Sequence, residues 1–197
     1  LGNGTTTPSS TPVQVLAEDG KPLGPVAKLR VFASHACAIG MTGKLWCWGD
    51  NAPMTQGRRY NSPPRLTRAT AFPGLPPVSE VSNSCVLGPA HELRCWGDVF
   101  EDLEQFSYEP VQIGHCGVTQ LVSGPGRCFA DGSGLACLDW QVFEKDAWQN
   151  AVFRSPQPAK KIAGSNGQIC AVDAESRLAC FRYADYSLIP VVGTSAG

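Results

Sequence analysis

The chain predicts an all-β protein assembled from about four copies of one small antiparallel unit. Three observations carry that expectation. Cysteines recur in pairs, Cys37/Cys47, Cys85/Cys95, Cys128/Cys137 and Cys170/Cys180, with internal spacings of 10, 10, 9 and 10 residues. From one pair to the next the first cysteine advances by 48, 43 and 42 residues, and a constant short spacing nested in a longer period marks one unit copied along the chain. No window sustains a helical period, and 16 prolines with 21 glycines in 197 residues work against long helices.

Each cysteine pair brackets a hairpin. The first copy runs His35-Ala36-Cys37-Ala38-Ile39, turns through Gly40–Gly43, and returns as Leu45-Trp46-Cys47-Trp48-Gly49-Asp50. Two short apolar runs around a Gly-containing turn read as antiparallel strands. Folding about Thr42 sets Ile39 against Leu45, Ala38 against Trp46 and Cys37 against Cys47. The other copies turn through Gly88–Glu92, Asp131–Gly134 and Asp173–Arg177 and oppose their cysteines in the same way. Opposed strand residues hold their Cβ atoms about 4.5–5.5 Å apart, near what a disulfide requires. Disulfides are therefore favoured, with reduced core thiols as the alternative. Zinc ranks third, because its knuckles use two to four intervening residues and two pairs must converge on one ion.

A second element precedes each hairpin, a proline followed by a short alternating run: Pro12-Val13-Gln14-Val15, Pro64-Arg65-Leu66, Pro110-Val111-Gln112-Ile113 and Pro158-Ala159-Lys160-Lys161-Ile162. A further strand-like run such as Leu29-Arg30-Val31-Phe32 follows, which makes three or four strands per unit. The repeats fall near 11–62, 63–109, 110–155 and 156–197, within a single domain over 1–197. Residues 1–10 read as the tail of a preceding turn.

The Pro-Val-Gln-Val and Pro-Val-Gln-Ile strands, His35-Ala36-Cys37-Ala38, and the Trp-Gly-Asp endings at Trp48 and Trp96 resemble the repeat of the regulator of chromosome condensation family. The cysteine-bearing form resembles repeats of secreted or surface-anchored bacterial proteins. The resemblance implies that each unit is a blade of a β-propeller, with the four blades making a small ring or part of a larger one. It weakens in the third copy, where Leu138-Asp139-Trp140 replaces Trp-Gly, and in the fourth, which reads Phe181-Arg182-Tyr183. The nucleotide-exchange activity of the family's founding member maps onto no position here. The chain opens on Leu1-Gly2-Asn3-Gly4, partway through a family turn, which suggests a processed or trimmed start. Ile189-Pro190-Val191-Val192 resembles another Pro strand, expected to complete the first blade or to begin a fifth.

Charge offers no address. The net charge is −1 with 17% charged residues, so neither a nucleic-acid nor a membrane surface is advertised. Membrane association would need an anchor outside this chain. No catalytic constellation, cofactor site or metal site is expected. His35 occupies a repeated motif position and reads as blade packing; His91 falls in a turn and His115 between strands. Asp131-Gly132-Ser133-Gly134 offers one carboxylate where calcium takes 6–8 oxygen ligands, and reads as a plain turn. Cys116 is the unpaired ninth cysteine, a buried thiol or an intermolecular link.

Function is expected in the long loops. Arg58, Arg59 and Tyr60 lie in the first, Phe100, Phe106 and Tyr108 in the second, Trp140 and Trp148 in or beside the third, and such residues favour interfaces. The expectation is a non-enzymatic interaction or assembly scaffold in an oxidising compartment: secreted, periplasmic or at the cell surface. Its partner is a protein or a second copy of the chain. The alternatives are a carbohydrate- or ligand-binding module, in which Trp140 and Trp148 stack on a glycan, and an inhibitor of a partner enzyme acting through the loop face.

Overall fold

The computed structural model describes residues 1–50, 65–72, 74–96, 110–122, 127–138, 153–154, 158–164, 168–182 and 188–189. These residues contain no helix and form four four-stranded antiparallel sheets, the blades of a β-propeller fold. Blade 1 comprises β1 (Val26–Val31), β2 (His35–Gly40), β3 (Leu45–Asp50) and β4 (Arg65–Ala71). Blade 2 comprises β5 (Glu80–Val81), β6 (Cys85–Leu87), β7 (Glu92–Cys95) and β8 (Val111–Cys116). Blade 3 comprises β9 (Gln120–Leu121), β10 (Arg127–Asp131), β11 (Gly134–Leu138) and β12 (Phe153–Arg154). Blade 4 comprises β13 (Ala159–Gly164), β14 (Gln168–Asp173), β15 (Leu178–Arg182) and β16 (Leu188–Ile189).

The second and third strands of every blade are the predicted hairpin, in the predicted register. Cys37 opposes Cys47, Cys85 opposes Cys95, Cys128 opposes Cys137 and Cys170 opposes Cys180. All four pairs are bridged, with Cα–Cα distances of 4.0–4.1 Å. One clip thus crosses the centre of each sheet and fixes its register, which a slip of one residue would invert.

The Pro strands are displaced from the expected phase. Those after Pro64 and Pro110 are β4 and β8, which pair with β3 and β7 and so close the sheet of the hairpin before them. The run after Pro158 is instead β13, the first strand of blade 4, because β12 already closes blade 3. Leu188–Ile189 pairs with Cys180 and Phe181 as the fourth strand of blade 4; Pro190-Val191-Val192, the rest of the segment expected to complete the first blade or begin a fifth, lies outside the described residues. Pro12–Val15 joins no four-stranded sheet. It belongs to an N-terminal strap lying on blade 1, where Gly4 N donates to Thr67 O and Ala69 N donates to Leu16 O, both at 2.8 Å. Val15 and Leu23 of the strap pack on Ala36, Ala38 and Trp48. Gly2, at φ +83°, lies under the Trp48 ring, where a Cβ would come within 2.8 Å of the indole.

Period-2 alternation gives each sheet two apolar faces, and the faces stack. The disulfide face of blade 1, with Ile39 and Leu45, packs on Val81, Val86 and Trp96 of blade 2. There the Phe72 and Trp96 rings meet at 4.5 Å and 53°. The disulfide face of blade 2 packs on Val118, Phe129 and Ala136 of blade 3, and that of blade 3 on Ile169, Ala171 and Phe181 of blade 4. The first strands converge on the inner side of the array. Lys28 and Arg30 on β1 both pair with Glu80 on β5, the Arg30 contact at 2.9 Å. Gln120 on β9 donates to Lys160 O at 2.8 Å and accepts from Ile162 N at 3.1 Å on β13.

Closing a loop of about ten residues stabilises a fold by roughly 2–3 kcal/mol in the chain-entropy model. Cys85→Ala with Cys95→Ala is expected to lower the unfolding free energy by about that amount, read from the urea midpoint. An unchanged midpoint would show that blade packing alone holds the register.

Candidate functional site

Three long connections and a fourth, shorter one leave the array in equivalent positions. Residues 51–64 join β3 to β4, 96–110 join β7 to β8, 139–152 join β11 to β12, and 183–187 join β15 to β16. Each runs from the third strand to the fourth, so all emerge from the same end of their sheets. Their roots are held in register: Asp50 opposes Arg65, Cys95 opposes Val111, Cys137 opposes Phe153 and Phe181 opposes Leu188. The loop residues singled out from the sequence, Arg58, Arg59, Tyr60, Phe100, Phe106, Tyr108, Trp140 and Trp148, lie outside the described residues. Their anchor points gather along one rim.

On blade 1 this rim has a concavity of about 230 Å³, lined by Thr5, Thr6, Ser34, Gly49, Asp50, Arg65 and their neighbours. That is below the usual 300–1,000 Å³ of a small-molecule pocket.

His35 sits beneath this rim. Gly49 lies directly opposite it at φ +105°, and a Cβ there would fall 2.7 Å from the His35 Cα. The Trp-Gly-Asp ending thus requires glycine so that the two strands can approach. The His35 ring stacks on Phe32, with centroids 4.5 Å apart and 24° between planes. The residue is only 5% exposed, and among the described residues neither ring nitrogen has a hydrogen-bond partner. Burial pushes its pKa down to about 4 against a smaller opposing pull from Asp50. Among the described residues the imidazole meets its surroundings through ring stacking and burial. It packs.

The remaining sequence candidates fall into place around the hairpins. Asp131 is buried, and its Oδ1 accepts from Ser133 N at 2.7 Å, from the Ser133 hydroxyl at 2.6 Å and from Gly134 N at 3.1 Å. This is an Asx turn closing the third hairpin, with that carboxylate oxygen engaged by the turn itself. His91, at φ +63°, has its Nδ1 2.8 Å from Val118 O, which ties the second hairpin tip to blade 3. Cys116 ends β8, opposite Glu92, and His115 precedes it on the same strand. Among the described residues no three His, Cys, Asp or Glu side chains converge as a metal-ligand set. The Lys28–Glu80–Arg30 cluster escaped sequence reading, because a lone glutamate about 50 residues from its partners carries no local signal.

The buried neutral His35 makes stability depend on pH. Its folded pKa of about 4 lies below the ordinary 6.5, so between these values the unfolded chain binds more protons. Stability is full above pH 6.5, falls as pH drops through that window, and levels off below pH 4. A loss on the order of 2 kcal/mol is expected across it. His35→Phe should flatten this part of the profile in urea titrations at pH 7, 5.5 and 4; an identical slope in the variant would assign the effect to other groups.

No protein-family model matches the chain, and no curated protein sequence matches it. Its fold is similar to that of solved propeller structures. One is yeast RCC1 (Prp20), in its complex with Kap60: 18% identity, TM-score 0.60, with 80% of this chain and 43% of that one covered. A second is Prp20p of Saccharomyces cerevisiae, described with its binding to Gsp1p and histones: 18% identity, TM-score 0.63, covering 83% and 48%. A third is the CRINKLY WD40 ectodomain of the Arabidopsis thaliana receptor kinase ACR4: 18% identity, TM-score 0.51, covering 84% and 53%. The chain thus spans about half the length of the propeller chains it matches, and what it shares with them is an RCC1-like propeller fold.

Proposed function

We propose that this chain is a non-enzymatic propeller-repeat protein that presents its third-to-fourth-strand loops to a protein partner as an interaction or assembly scaffold. The observation that carries the reading is the common emergence of every long connection along one rim, anchored by disulfide-clipped hairpins. A rigid framework that holds variable loops side by side is how binding surfaces are commonly built. Interaction also fits the similar structures, two of which concern propellers described with protein partners, Kap60 for one and Gsp1p and histones for the other. Those partners belong to those proteins; for this chain only the mode of use is inferred.

Four bridges in a chain of this size fit an oxidising environment, and the proposed location is secreted, periplasmic or at the cell surface of a bacterium. The repeats' resemblance to secreted bacterial proteins supports it. Natively isolated protein, denatured without reductant and alkylated, is expected to take up label at Cys116 alone. Eight or nine labelled cysteines would remove both the bridges and the compartment.

The loop face is tested by substitution in the long connections themselves. Tyr60→Ala, Phe106→Ala and Trp148→Ala, combined, are expected to abolish capture of native partners from the source's envelope fraction while leaving the urea midpoint unchanged. Retention of the same partners by the triple variant would move the interface elsewhere. Saturable binding on a glycan array that is lost in Trp148→Ala alone would favour the carbohydrate-binding reading.

A further inference from the structure

Two of the three histidines, and the one cysteine outside the four bridges, are placed at one corner of blade 2. They are His91, in the turn between β6 and β7, and His115 and Cys116, at the end of β8. This corner lies at the hairpin end of the sheet, away from the rim where the long connections emerge.

The turns Gly40–Lys44, Gly88–Glu92 and Asp173–Arg177 share one backbone pattern. In each, the first residue's N–H donates to the fifth residue's carbonyl, and the fourth residue's N–H donates to the first's carbonyl. The fourth position is left-handed in all three: Gly43 at φ +81°, His91 at +63° and Ser176 at +65°. That conformation suits glycine, and a side chain there costs on the order of 1–3 kcal/mol. Blade 2 nevertheless holds an exposed imidazole at this position. Its Nδ1 lies 2.8 Å from Val118 O. A carbonyl only accepts, so Nδ1 donates and the neutral ring keeps its lone pair on Nε2. Metal-binding histidines are held in this way, with the second ring nitrogen donating to a backbone carbonyl or a carboxylate.

Strand β8 reaches the turn through an irregularity. Cys95, Arg94 and Leu93 oppose Val111, Gln112 and Ile113 in step, but Glu92 opposes Cys116, so Gly114 and His115 are extra residues on the β8 side. Bulges re-aim side chains and recur beside functional sites. Beyond Gln112 only the backbone of β8 is described, and its register places His115 and Cys116 beside the His91 turn. Directly opposed residues hold their Cβ atoms about 4.5–5.5 Å apart. His91 is the neighbour of Glu92, and Val118, which its ring contacts, follows Cys116 by two residues. The Glu92 carboxylate is turned onto its own hairpin, Oε2 accepting from Ala90 N at 3.0 Å, and adds a negative charge to this corner.

We propose that His91, His115 and Cys116 form a binding site for one divalent transition-metal ion of the zinc class. Imidazole nitrogen and thiolate are the ligands such ions take, whereas calcium and magnesium take oxygen. Three protein ligands leave a fourth, tetrahedral position to water or to a donor from outside the chain. Binding releases the thiol proton to solvent and holds the sulfur as a coordinated thiolate. A ninth cysteine can thereby stay out of disulfide exchange in a chain with four bridges. The site is at the opposite end of the sheet from the loop rim, so it is independent of the partner-binding reading.

The test is calorimetric titration of Zn²⁺ into protein that has been isolated natively and then stripped with a chelator. Each chain is expected to bind a single ion, with affinity reduced about 10–100-fold or more in Cys116→Ser, His91→Asn and His115→Ala. Asparagine is used at 91 because it tolerates the left-handed conformation. Co²⁺ in place of Zn²⁺ should give a thiolate-to-cobalt charge-transfer band that Cys116→Ser lacks, a signature that binding to surface histidines alone does not produce. Zn²⁺ should raise the urea midpoint of the wild type and leave that of Cys116→Ser unmoved. In the unsubstituted protein, saturating Zn²⁺ should slow alkylation of Cys116 about tenfold or more, a comparison that needs no variant. Absence of saturable binding, a cobalt complex without the charge-transfer band, affinity unchanged in any of the three variants, or Cys116 found in a disulfide in natively isolated protein would each overturn the proposal.

Discussion

Everything in this molecule rests on stacking one sheet face against the next. A four-stranded sheet of strands two to seven residues long has little interior of its own, and each blade here places its apolar residues on both faces. Those faces are buried only because a neighbour lies against them: Leu45 against Val81, Leu93 against Leu121, Leu135 against Ile162. The core is therefore a series of layers between blades, and stability is a property of junctions as much as of units. The disulfides complement this arrangement. They hold the two central strands of each sheet in the register that directs the correct residues toward each neighbour.

That division of labour explains what the sequence disclosed. The hairpins were legible because a bridge can form only between opposed strand positions, so the cysteine spacing determined strand pairing, turn length and face together. The blade phase was not. A proline signals the start of an edge strand without saying which sheet the strand will join, and Pro64 and Pro158 introduce strands at opposite edges of their sheets. The N-terminal strap was hidden for a related reason: Pro12-Val13-Gln14-Val15 has the pattern of a blade strand but joins none of the four described sheets.

The candidate site was legible in outline. Its loops stand out by length and composition, but their common origin between third and fourth strands becomes evident only once the strands are paired. His35 illustrates the other limit. Its motif position predicts packing, and it packs. That both ring nitrogens lie buried without partners among the described residues, opposite a glycine whose missing side chain makes room for the strand, depends on contacts across the hairpin. The Glu80 clasp on Lys28 and Arg30 is similarly a product of topology, since blade stacking brings β1 and β5 together.

The displacement of repeats from sheets bears on how the chain comes apart. A unit counted from one Pro strand to the next contains the closing strand of one blade and the hairpin of another. Cutting at such a boundary, as at Pro64 or Pro110, removes the outer strand of one sheet and leaves that sheet with a bare edge. The clean seams are the short connectors between β4 and β5 and between β8 and β9, where the chain passes from one completed sheet to the next. Each sheet consists of four consecutive strands, so neighbouring blades are held together across these seams by their apolar faces and not by shared strands. A blade cut out at two seams would leave an uncovered apolar face on each neighbour, and this links the unfolding of one blade to that of the next.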